Sequence, residues 1–263
     1  MITLGLDVGS LTSKAVIQED NQILATQVIR SKARPWESAR EVYDQVLASA
    51  NIGADQIDYS IGTGYGREKI PFVQEVVTEV SCHGRGLKWL VPSARTIIDI
   101  GGQDCKVIKL DKNGDIEKFS TNDKCASGTG RFLEVMGKIL DLDLEQLGKK
   151  KTSSQNPVTL ASACTVWAQA DVIGHLNSRV PIEDIAAGVN NAMASRISVM
   201  VNNVGIEREL CMTGGVAKNQ GVVSALENLL GVKIKKLRRF DPQIIGALGA
   251  ALLARNHSNG GRK

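Results

Sequence analysis

The chain has 263 residues, a formal net charge of +4, 43% hydrophobic residues and 23% charged residues. These ordinary values exclude disorder over most of the chain, and the length predicts two lobes or one large α/β unit. The mild charge and the few aromatic residues (three Trp, three Tyr and four Phe) disfavour nucleic acid as a partner. The longest nearly unbroken apolar run, residues 244–254, is too short to span a bilayer, so no membrane partner is expected.

The first residues, MITLGLDVGS, form an apolar stretch that runs into a Gly/Ser turn. They have neither the basic start nor the small-residue cleavage site of a signal peptide, so we expect a cytoplasmic protein. Five cysteines, an odd number for a reducing compartment, argue against a disulfide framework. Metal binding, redox chemistry and plain burial are the interpretations left for them.

Two segments of the chain resemble each other at a spacing of 92 residues. The paired positions, aligned without a gap, are Asp7 with Asp99, Val8 with Ile100, Gly9 with Gly101, Lys14 with Lys106 and Asn21 with Asn113. Each copy reads as an apolar strand, a glycine turn and a second strand, which predicts two β-hairpins on two related domains. The alternative is a chance match, because many strands of α/β proteins end in glycine.

Beyond the first hairpin, helices and strands alternate. In chain order, the pattern predicts a helix over 37–50, a strand over 57–62, a helix over 132–140, a strand over 210–213 and a buried helix over 244–254. We divide the chain into a first lobe over 1–94, a second lobe over 95–242 and a C-terminal segment over 243–263. That segment is predicted to pack back on the first lobe as a helix and to end in a frayed tail from residue 256.

The turn of the first hairpin, DVGSLTSK, has the groups that a nucleoside triphosphate requires. Gly9 lets the backbone approach the phosphates, Lys14 supplies positive charge, and Asp7 can hold hydrated Mg²⁺. Backbone amides and hydroxyl groups of the turn can donate hydrogen bonds to phosphate oxygens. The predicted phosphate-binding residues are Gly9, Ser10, Leu11, Thr12, Ser13 and Lys14.

The second hairpin, DIGGQD, replaces these hydroxyl groups with a second glycine, an amide and a carboxylate. Gln103 and Asp104 suit the orientation of an attacking water and of Mg²⁺ near the γ-phosphate, so the predicted catalytic residues are these two and Asp7. A third turn, Gly214-Gly215, follows a strand and precedes a helix, where adenosine is expected. Further predicted nucleotide contacts are Gly101, Gly102, Gln103, Gly214, Gly215, Lys218 and Gln243, and Mg²⁺ is expected to bind Asp7 and Asp104 through water.

Each glycine turn alone is weak evidence, and a P-loop motif is absent from the sequence. The order of the turns is more informative, because two hairpins related by a repeat precede a strand-turn-helix. This order resembles the superfamily of actin, sugar kinases and heat-shock chaperone ATPases. The resemblance implies an α/β fold of duplicated, ribonuclease H-like domains with a nucleotide cleft.

Two cysteines lie in segments ahead of predicted helices. Cys125 is in NDKCASGTGR and Cys164 is in SACTVW, and helix N-termini stabilise thiolates and anionic ligands. Two thiolates cannot complete a four-cysteine iron–sulfur cluster, but a symmetric homodimer would supply both residues twice. Two structural cysteines remain the alternative. The helical pattern after Cys164 places on one stripe Val166, Ala170, Ile173 and Asn177.

The other three cysteines are predicted to be small buried hydrophobes. Cys105 occupies an inward strand position, Cys211 lies in an apolar strand, and Cys82 adjoins His83 in a predicted short loop. Cys125 and Cys164 are therefore the candidate cluster ligands.

Eight segments, in order and across nearly the whole chain, resemble the ATP-dependent activators of 2-hydroxyacyl-CoA dehydratases. They are LGLDVGSLTSK, TGYGR, SCHGRG, TIIDIGGQDCKVIKL, NDKCASGTGRFLEVM, SACTVWAQADVI, MTGGVAKNQGV and IGALGAAL. That family is related to the ATPase subunits of benzoyl-CoA reductase and to the reductases of double-cubane iron–sulfur proteins. The resemblance implies an oxygen-sensitive homodimer with one bridging [4Fe-4S] cluster, held by Cys125 and Cys164 of each subunit.

The function implied by this resemblance is an ATP hydrolase coupled to electron transfer. ATP and Mg²⁺ would drive one low-potential electron from ferredoxin or flavodoxin to an acceptor iron–sulfur protein of the dehydratase or double-cubane type. After Cys164 the chain reads WAQAD at 167–171, where the family has Phe with two Glu, which leaves the identity of the acceptor open. Two other functions also remain open: a kinase of the N-acetyl sugar type with Asp104 as general base, and a nucleotide-gated scaffold.

Overall fold

The computed structural model describes residues 1–150, 153–161, 164–237 and 239–260, with residues 257–260 described only by their backbone. The strands in these ranges are β1 (Ile2–Val8), β2 (Thr12–Glu19), β3 (Gln22–Arg30), β4 (Tyr59–Thr63), β5 (Glu75–Val76), β6 (Thr96–Ile100), β7 (Cys105–Leu110), β8 (Ile116–Asn122), β9 (Leu210–Thr213) and β10 (Ile234–Lys235). The helices are α1 (Pro35–Ala50), α2 (Glu79–Leu90), α3 (Gly130–Leu140), α4 (Leu144–Lys150), α5 (Thr165–Asn177), α6 (Ile182–Val204), α7 (Gln220–Leu230) and α8 (Ile245–Gly260). Within the described residues, none of these helices is both long enough and apolar enough to cross a membrane.

The strands form two five-stranded sheets, in the orders β3-β2-β1-β4-β5 and β10-β9-β6-β7-β8. The chain divides into two units. Unit 1 contains Met1–Arg95, Leu110–Glu117 and Leu237–Lys263, and unit 2 contains Thr96–Lys109 and Lys118–Lys236. Because each unit is interrupted by a segment of the other, their ranges differ from the three continuous segments predicted from the sequence.

Both sheets contain the predicted hairpin in the same register. In unit 1, β1 pairs antiparallel with β2, and Asp7 is opposite Lys14. In unit 2, β6 pairs antiparallel with β7, and Asp99 is opposite Lys106. Each first strand also has a parallel neighbour on its other side, β4 in unit 1 and β9 in unit 2. The sequence repeat is therefore structural, and the chance-match alternative is wrong.

The sheet of unit 1 is covered by helices on both faces. α1 packs Val42 and Val46 against one face, in a cluster that includes the residues on either side of Val16. Val16 itself points the other way and contacts the cluster formed by Ala247 and Leu248 of α8. The predicted buried helix over 244–254 is thus confirmed. It continues through residue 260, and the last part of the predicted frayed tail, 261–263, lies outside the described residues.

Unit 2 has its own core between its sheet and its helices. Phe132 and Met136 of α3, Val189 and Met193 of α6, and Ile98 of β6 are all buried in one cluster. α3 also packs against α4 and α5. This apolar core fixes the helices that follow the two candidate cluster cysteines.

The predicted elements recur with shifts of a few residues. The helix over 37–50 is α1, which begins earlier because Pro35 suits the first helical turn, and the helix over 132–140 lies within α3. The strand over 57–62 corresponds to β4, and the strand over 210–213 is β9. The loop predicted for Cys82 and His83 is wrong, because both lie inside α2. Gly86 lies inside this helix at the point where α8 packs closely against it. A glycine is needed there, because a Cβ would lie 2.3 Å from Ile245 O.

Candidate nucleotide site and cluster cysteines

The turn between β1 and β2 is closed by its own backbone. Gly9 N donates to Thr12 O at 3.1 Å. Ser31, directly after β3, donates from its backbone nitrogen to Leu11 O at 2.9 Å and from its hydroxyl to Gly9 O at 2.7 Å. The neighbouring strand therefore supports the turn, and residues 9–12 are partly exposed at its tip.

Ser13, predicted as a phosphate-binding residue, has a buried hydroxyl. Its side chain is fully buried, and its Oγ is hydrogen-bonded to Ser31 Oγ at 2.9 Å. Side chains alternate along a strand, so Ser13 points away from the side on which Thr12 and Lys14 lie. Its hydroxyl supports the turn, and the hydroxyl groups at the partly exposed tip are those of Ser10 and Thr12.

Other groups predicted for the first turn do lie together in unit 1. Lys14 Nζ donates to Asp7 Oδ2 at 3.1 Å, and both side chains are largely shielded from solvent. Gln243 Nε2 donates to Thr12 Oγ1 at 3.3 Å. Asp241 Oδ1 accepts a hydrogen bond from Gln243 N at 2.9 Å, which fixes the backbone of that residue. The Asp7 carboxylate, the Lys14 ammonium group, the Gln243 amide and the Thr12 hydroxyl thus lie around the first turn.

A buried histidine that was not predicted as a site residue lies near the same carboxylate. His83 lies in α2 and is 4% exposed. A Cβ on Gly246 of α8 would lie 2.8 Å from Asp7 Oδ2 and 3.0 Å from His83 Nε2. Glycine therefore lets the start of α8 approach the carboxylate and the imidazole. A single histidine between Cys82 and Gly84 does not by itself predict such a contact.

The turn between β6 and β7 repeats the first turn. Gly101 N donates to Asp104 O at 3.0 Å, so Asp104 has the position that a threonine has in the first turn. Lys106 Nζ is paired with the Asp104 carboxylate and lies 3.8 Å from Asp99 Oδ2. Gln103 is exposed at the tip. The two groups predicted to orient water are therefore on one turn, and a lysine holds the carboxylate.

Three residues on the strands beside this second turn, Asp99, Lys106 and Thr213, were not predicted as site residues. Thr213 Oγ1 donates to Asp99 Oδ1 at 2.8 Å. Asp99 and Lys106 are 3% and 6% exposed, so their charges interact where water screens them little. The available signal was the repeat itself, because its spacing aligns Asp99 and Lys106 with Asp7 and Lys14.

The third predicted turn lies at the end of β9, beside β6. Gly214 has a φ of 81°, and a Cβ there would lie 2.3 Å from Ile100 O. Gly215 opens a 3₁₀ turn (Gly215–Lys218) that leads into α7, and Lys218 is exposed at its end. In unit 1, Gly64 follows β4 with a φ of 95°. The repeat therefore extends to the glycine after the parallel neighbour strand.

The five cysteines divide into two exposed and three buried residues. Cys125 lies in the loop between β8 and α3, and Cys164 is the N-cap residue of α5. Burial raises the pKa of the Cys82 and Cys211 thiols to about 12 and also raises the pKa of Cys105. The three buried thiols are therefore protonated at neutral pH, which disfavours metal ligation. The predicted division of the cysteines by burial is confirmed.

The helix after Cys164 exposes apolar side chains. Val166 is 69% exposed, Trp167 is 67% exposed and Ile173 is 46% exposed, whereas Ala168 and Val172 are buried. The stripe predicted for this helix therefore faces outward in the single chain. Val166, Trp167 and Ile173 thus give α5 exposed apolar side chains in the single chain.

Residues 4–254 match the BadF/BadG/BcrA/BcrD ATPase family. The chain belongs to this family. The 2-hydroxyisocaproyl-CoA dehydratase activator of Clostridioides difficile is 44% identical to this ATPase over 97% of this chain and 95% of its own. The (R)-2-hydroxyglutaryl-CoA dehydratase activating ATPase of Acidaminococcus fermentans is 42% identical over 96% of each chain. A benzoyl-CoA reductase subunit from Thauera aromatica is 30% identical over 95% of this chain and 92% of its own.

Solved structures agree with this membership. The activator of the 2-hydroxyisocaproyl-CoA dehydratase from Clostridium difficile with bound ADPNP has a TM-score of 0.95 and 42% identity, over 100% of this chain and 97% of that one. The ethanolamine utilization protein EutJ from Carboxydothermus hydrogenoformans has a TM-score of 0.62 and 13% identity, over 96% and 90%, and shares the fold alone. The actin-like α/β fold and the family resemblance predicted for this ATPase are confirmed.

Proposed function

We propose that this ATPase is a homodimeric activator that couples ATP binding and hydrolysis to the transfer of one electron to a partner iron–sulfur enzyme. The observation that carries the proposal is that Cys125 and Cys164 are exposed ahead of α3 and α5, whereas the other three cysteines are buried. The relatives support it, since two of them are named as activators of 2-hydroxyacyl-CoA dehydratases. The acceptor is accordingly of the dehydratase, benzoyl-CoA reductase or double-cubane type.

Cys125 and Cys164 are suited to a [4Fe-4S] cluster, which supplies one-electron transfer at low potential. Each chain offers two exposed thiols, and a cluster takes four, so we assign one cluster to two copies of the chain. Val166 and Trp167 follow Cys164 closely and expose apolar area to a second copy or to the acceptor. Ferredoxin or flavodoxin is the proposed donor, and the cytoplasm is the proposed location.

The phosphates and Mg²⁺ are assigned to the two hairpin turns. In unit 1, Gly9 lets the backbone approach the phosphates, residues 10–12 donate backbone and hydroxyl hydrogen bonds, Lys14 contributes charge, and Asp7 holds hydrated Mg²⁺. Gln243 supports the same turn through Thr12. In unit 2, Gln103 and Asp104 orient the attacking water.

The remaining nucleotide contacts are assigned to unit 2. Gly101 and Gly102 present the backbone of the second turn, and Gly214, Gly215 and Lys218 contact the adenosine. Asp104 also contacts Mg²⁺ through water, while Lys106 keeps its carboxylate in place. Phosphate binding is assigned to the predicted lobe over 1–94, and the cluster is assigned to helices of the predicted second ATPase lobe over 95–242. The predicted C-terminal segment over 243–263 supplies Gln243.

Iron and acid-labile sulfide in anaerobically purified protein test the proposal. The expected result is a brown protein with about four of each per two chains and with Mg²⁺-dependent ATP hydrolysis. A colourless, iron-free protein that phosphorylates an N-acetyl sugar contradicts it and identifies a kinase of the same fold. Iron-free protein that polymerises with ATP without turnover contradicts it in favour of a scaffold.

A further inference from the structure

The helix that follows Cys125 is hydrogen-bonded to the second glycine turn. α3 begins at Gly130, whose nitrogen donates to Gly101 O at 2.9 Å, and Arg131 N donates to Gly102 O at 2.8 Å. The first amides of a helix have no acceptor inside the helix, so the two carbonyl groups of the turn cap α3. A displacement of the turn therefore displaces the start of this helix.

The loop that carries Cys125 is also tied together internally. Asn122 Nδ2 donates to Cys125 O at 3.0 Å and to Ser127 O at 2.9 Å. Both partners are carbonyl oxygens, so the amide nitrogen must face them. Thr129 Oγ1 donates to Ala126 O at 2.7 Å. These bonds connect the backbone at Cys125 to the start of α3, so that the loop and the helix start move together.

We propose that Gly130 and Asn122 are positioning residues that transmit nucleotide occupancy at the second turn to Cys125. Gly130 keeps α3 in contact with the turn, and Asn122 keeps the loop in contact with α3. The inference rests on the nucleotide binding in the proposed function, but it does not require the cluster, because all of these contacts lie within the protein chain.

Gly130 has no room for a side chain. A Cβ would lie 2.9 Å from Gly101 O and 3.5 Å from Gly102 Cα, so Gly130→Ala pushes the turn and the helix apart. Asn122→Asp keeps the size of the side chain and replaces the donor with an acceptor that faces two carbonyl groups. Gly174→Ala in α5 is the matched control, since a Cβ there meets nothing within 4 Å.

The rate at which iodoacetamide alkylates Cys125 tests the proposal in the full-length, iron-free protein. Peptide mass spectrometry gives this rate with and without saturating Mg-ADPNP, while equilibrium dialysis confirms that each variant has bound the nucleotide. In the unsubstituted protein the nucleotide is expected to change the rate about fivefold or more. The change should vanish in Gly130→Ala and Asn122→Asp and persist in Gly174→Ala.

The two proposals fail in different ways. Nucleotide-bound protein whose Cys125 rate does not change, or variants that both keep the full change, would overturn the linkage. A normal change in a protein that never contains iron supports the linkage and contradicts the proposed cluster. If Gly130→Ala does not fold, Asn122→Asp and hydrogen exchange at the amides of residues 130 and 131 decide the question. Exchange rates in the unsubstituted protein that do not respond to the nucleotide count against the linkage.

Discussion

A lysine lies opposite an aspartate in each half of the repeat, but the two lysines have different partners. Lys14 contacts Asp7, whereas Lys106 is shared between Asp99 and Asp104. Removing one member of a buried ion pair costs about 3 to 5 kcal/mol, because the remaining charge has no partner. Lys106 interacts with two carboxylates, whereas Lys14 is paired with the Asp7 carboxylate alone among the described contacts. Lys14 is therefore the lysine proposed to interact with a phosphate as well. This difference fits the proposed assignment, in which the first turn binds phosphate and the second turn carries the proposed catalytic carboxylate.

The exposed cysteines can be separated from the buried ones by substitution. Cys125→Ala and Cys164→Ala are each expected to abolish iron binding, because one change removes two of the four proposed ligands in a dimer. Cys105→Ala and Cys211→Ala are the controls, since both thiols are buried. Each control is expected to lose about 1 kcal/mol of folding free energy and to keep its iron. Iron per chain and nucleotide binding are measured for all four, and full iron content in either of the first two variants contradicts the bridging assignment.

At the scale of helices and strands, hydrophobic periodicity shows which residues share a face but not what covers that face. The strand over 210–213 and the helix over 37–50 were predictable because their patterns are local. The outward position of Val166 and Ile173 was not predictable, since periodicity alone does not distinguish a core stripe from a contact surface. α2 was missed because its glycines suggest a break, and the close contact with α8 that explains Gly86 is tertiary.

The segment before Cys164 is held by carboxylates on two helices. Asp184, near the start of α6, accepts hydrogen bonds from the Ser154 hydroxyl at 2.7 Å and from two backbone amides at 3.0 Å. Asp171 in α5 accepts one from Ala161 N at 2.8 Å. The described part of the connection between α4 and α5 is therefore anchored to both following helices.

Asp184→Asn is expected to lower the urea midpoint of unfolding at pH 7. The hydrogen bond from Ser154, and then the backbone amides, lower the pKa of Asp184 from its ordinary value of 3.8. A lowered carboxyl pKa stabilises the fold fully above the ordinary value, and this stabilisation is lost as the pH falls through the folded-state value. The difference from the unsubstituted protein should therefore shrink below pH 3.8.

The control for that substitution is Glu183→Gln, the neighbouring position on α6. Glu183 pairs with the partly exposed Lys150, and a surface pair of this kind contributes about 1 kcal/mol at most. Its effect on the midpoint should be smaller than that of Asp184→Asn. Equal midpoints for Asp184→Asn and the unsubstituted protein at pH 7 would show that Asp184 does not anchor the segment.

At the scale of the whole molecule, the repeat accounts for the two hairpin turns but not for the exposed cysteines. One helix, α1, lies between β3 and β4 of unit 1, whereas α3 to α6 lie between β8 and β9 of unit 2. Both exposed cysteines lie in that longer connection. Self-similarity therefore predicted the turns, and only the positions of Cys125 and Cys164 ahead of predicted helices and the family resemblance singled out these residues. The discontinuous units could not be predicted, because residues 110–117 are assigned to unit 1 by contacts that are distant in sequence.

Asp104→Asn tests whether ATP binding or hydrolysis drives electron transfer. The change keeps the size of the side chain but removes the charge assigned to orienting water, while Lys106 retains Asp99 as a partner. Hydrolysis is expected to slow on the order of 100-fold or more, with little loss of ATP affinity. If hydrolysis only resets the dimer, the iron-loaded variant should reduce a dehydratase-type acceptor once after ATP addition and then stop. Single-turnover electron transfer is measured with bound ATP quantified, and exposed Asp115→Asn is the control that should keep cycling. Absence of the first electron in Asp104→Asn with ATP bound would instead show that hydrolysis drives the transfer.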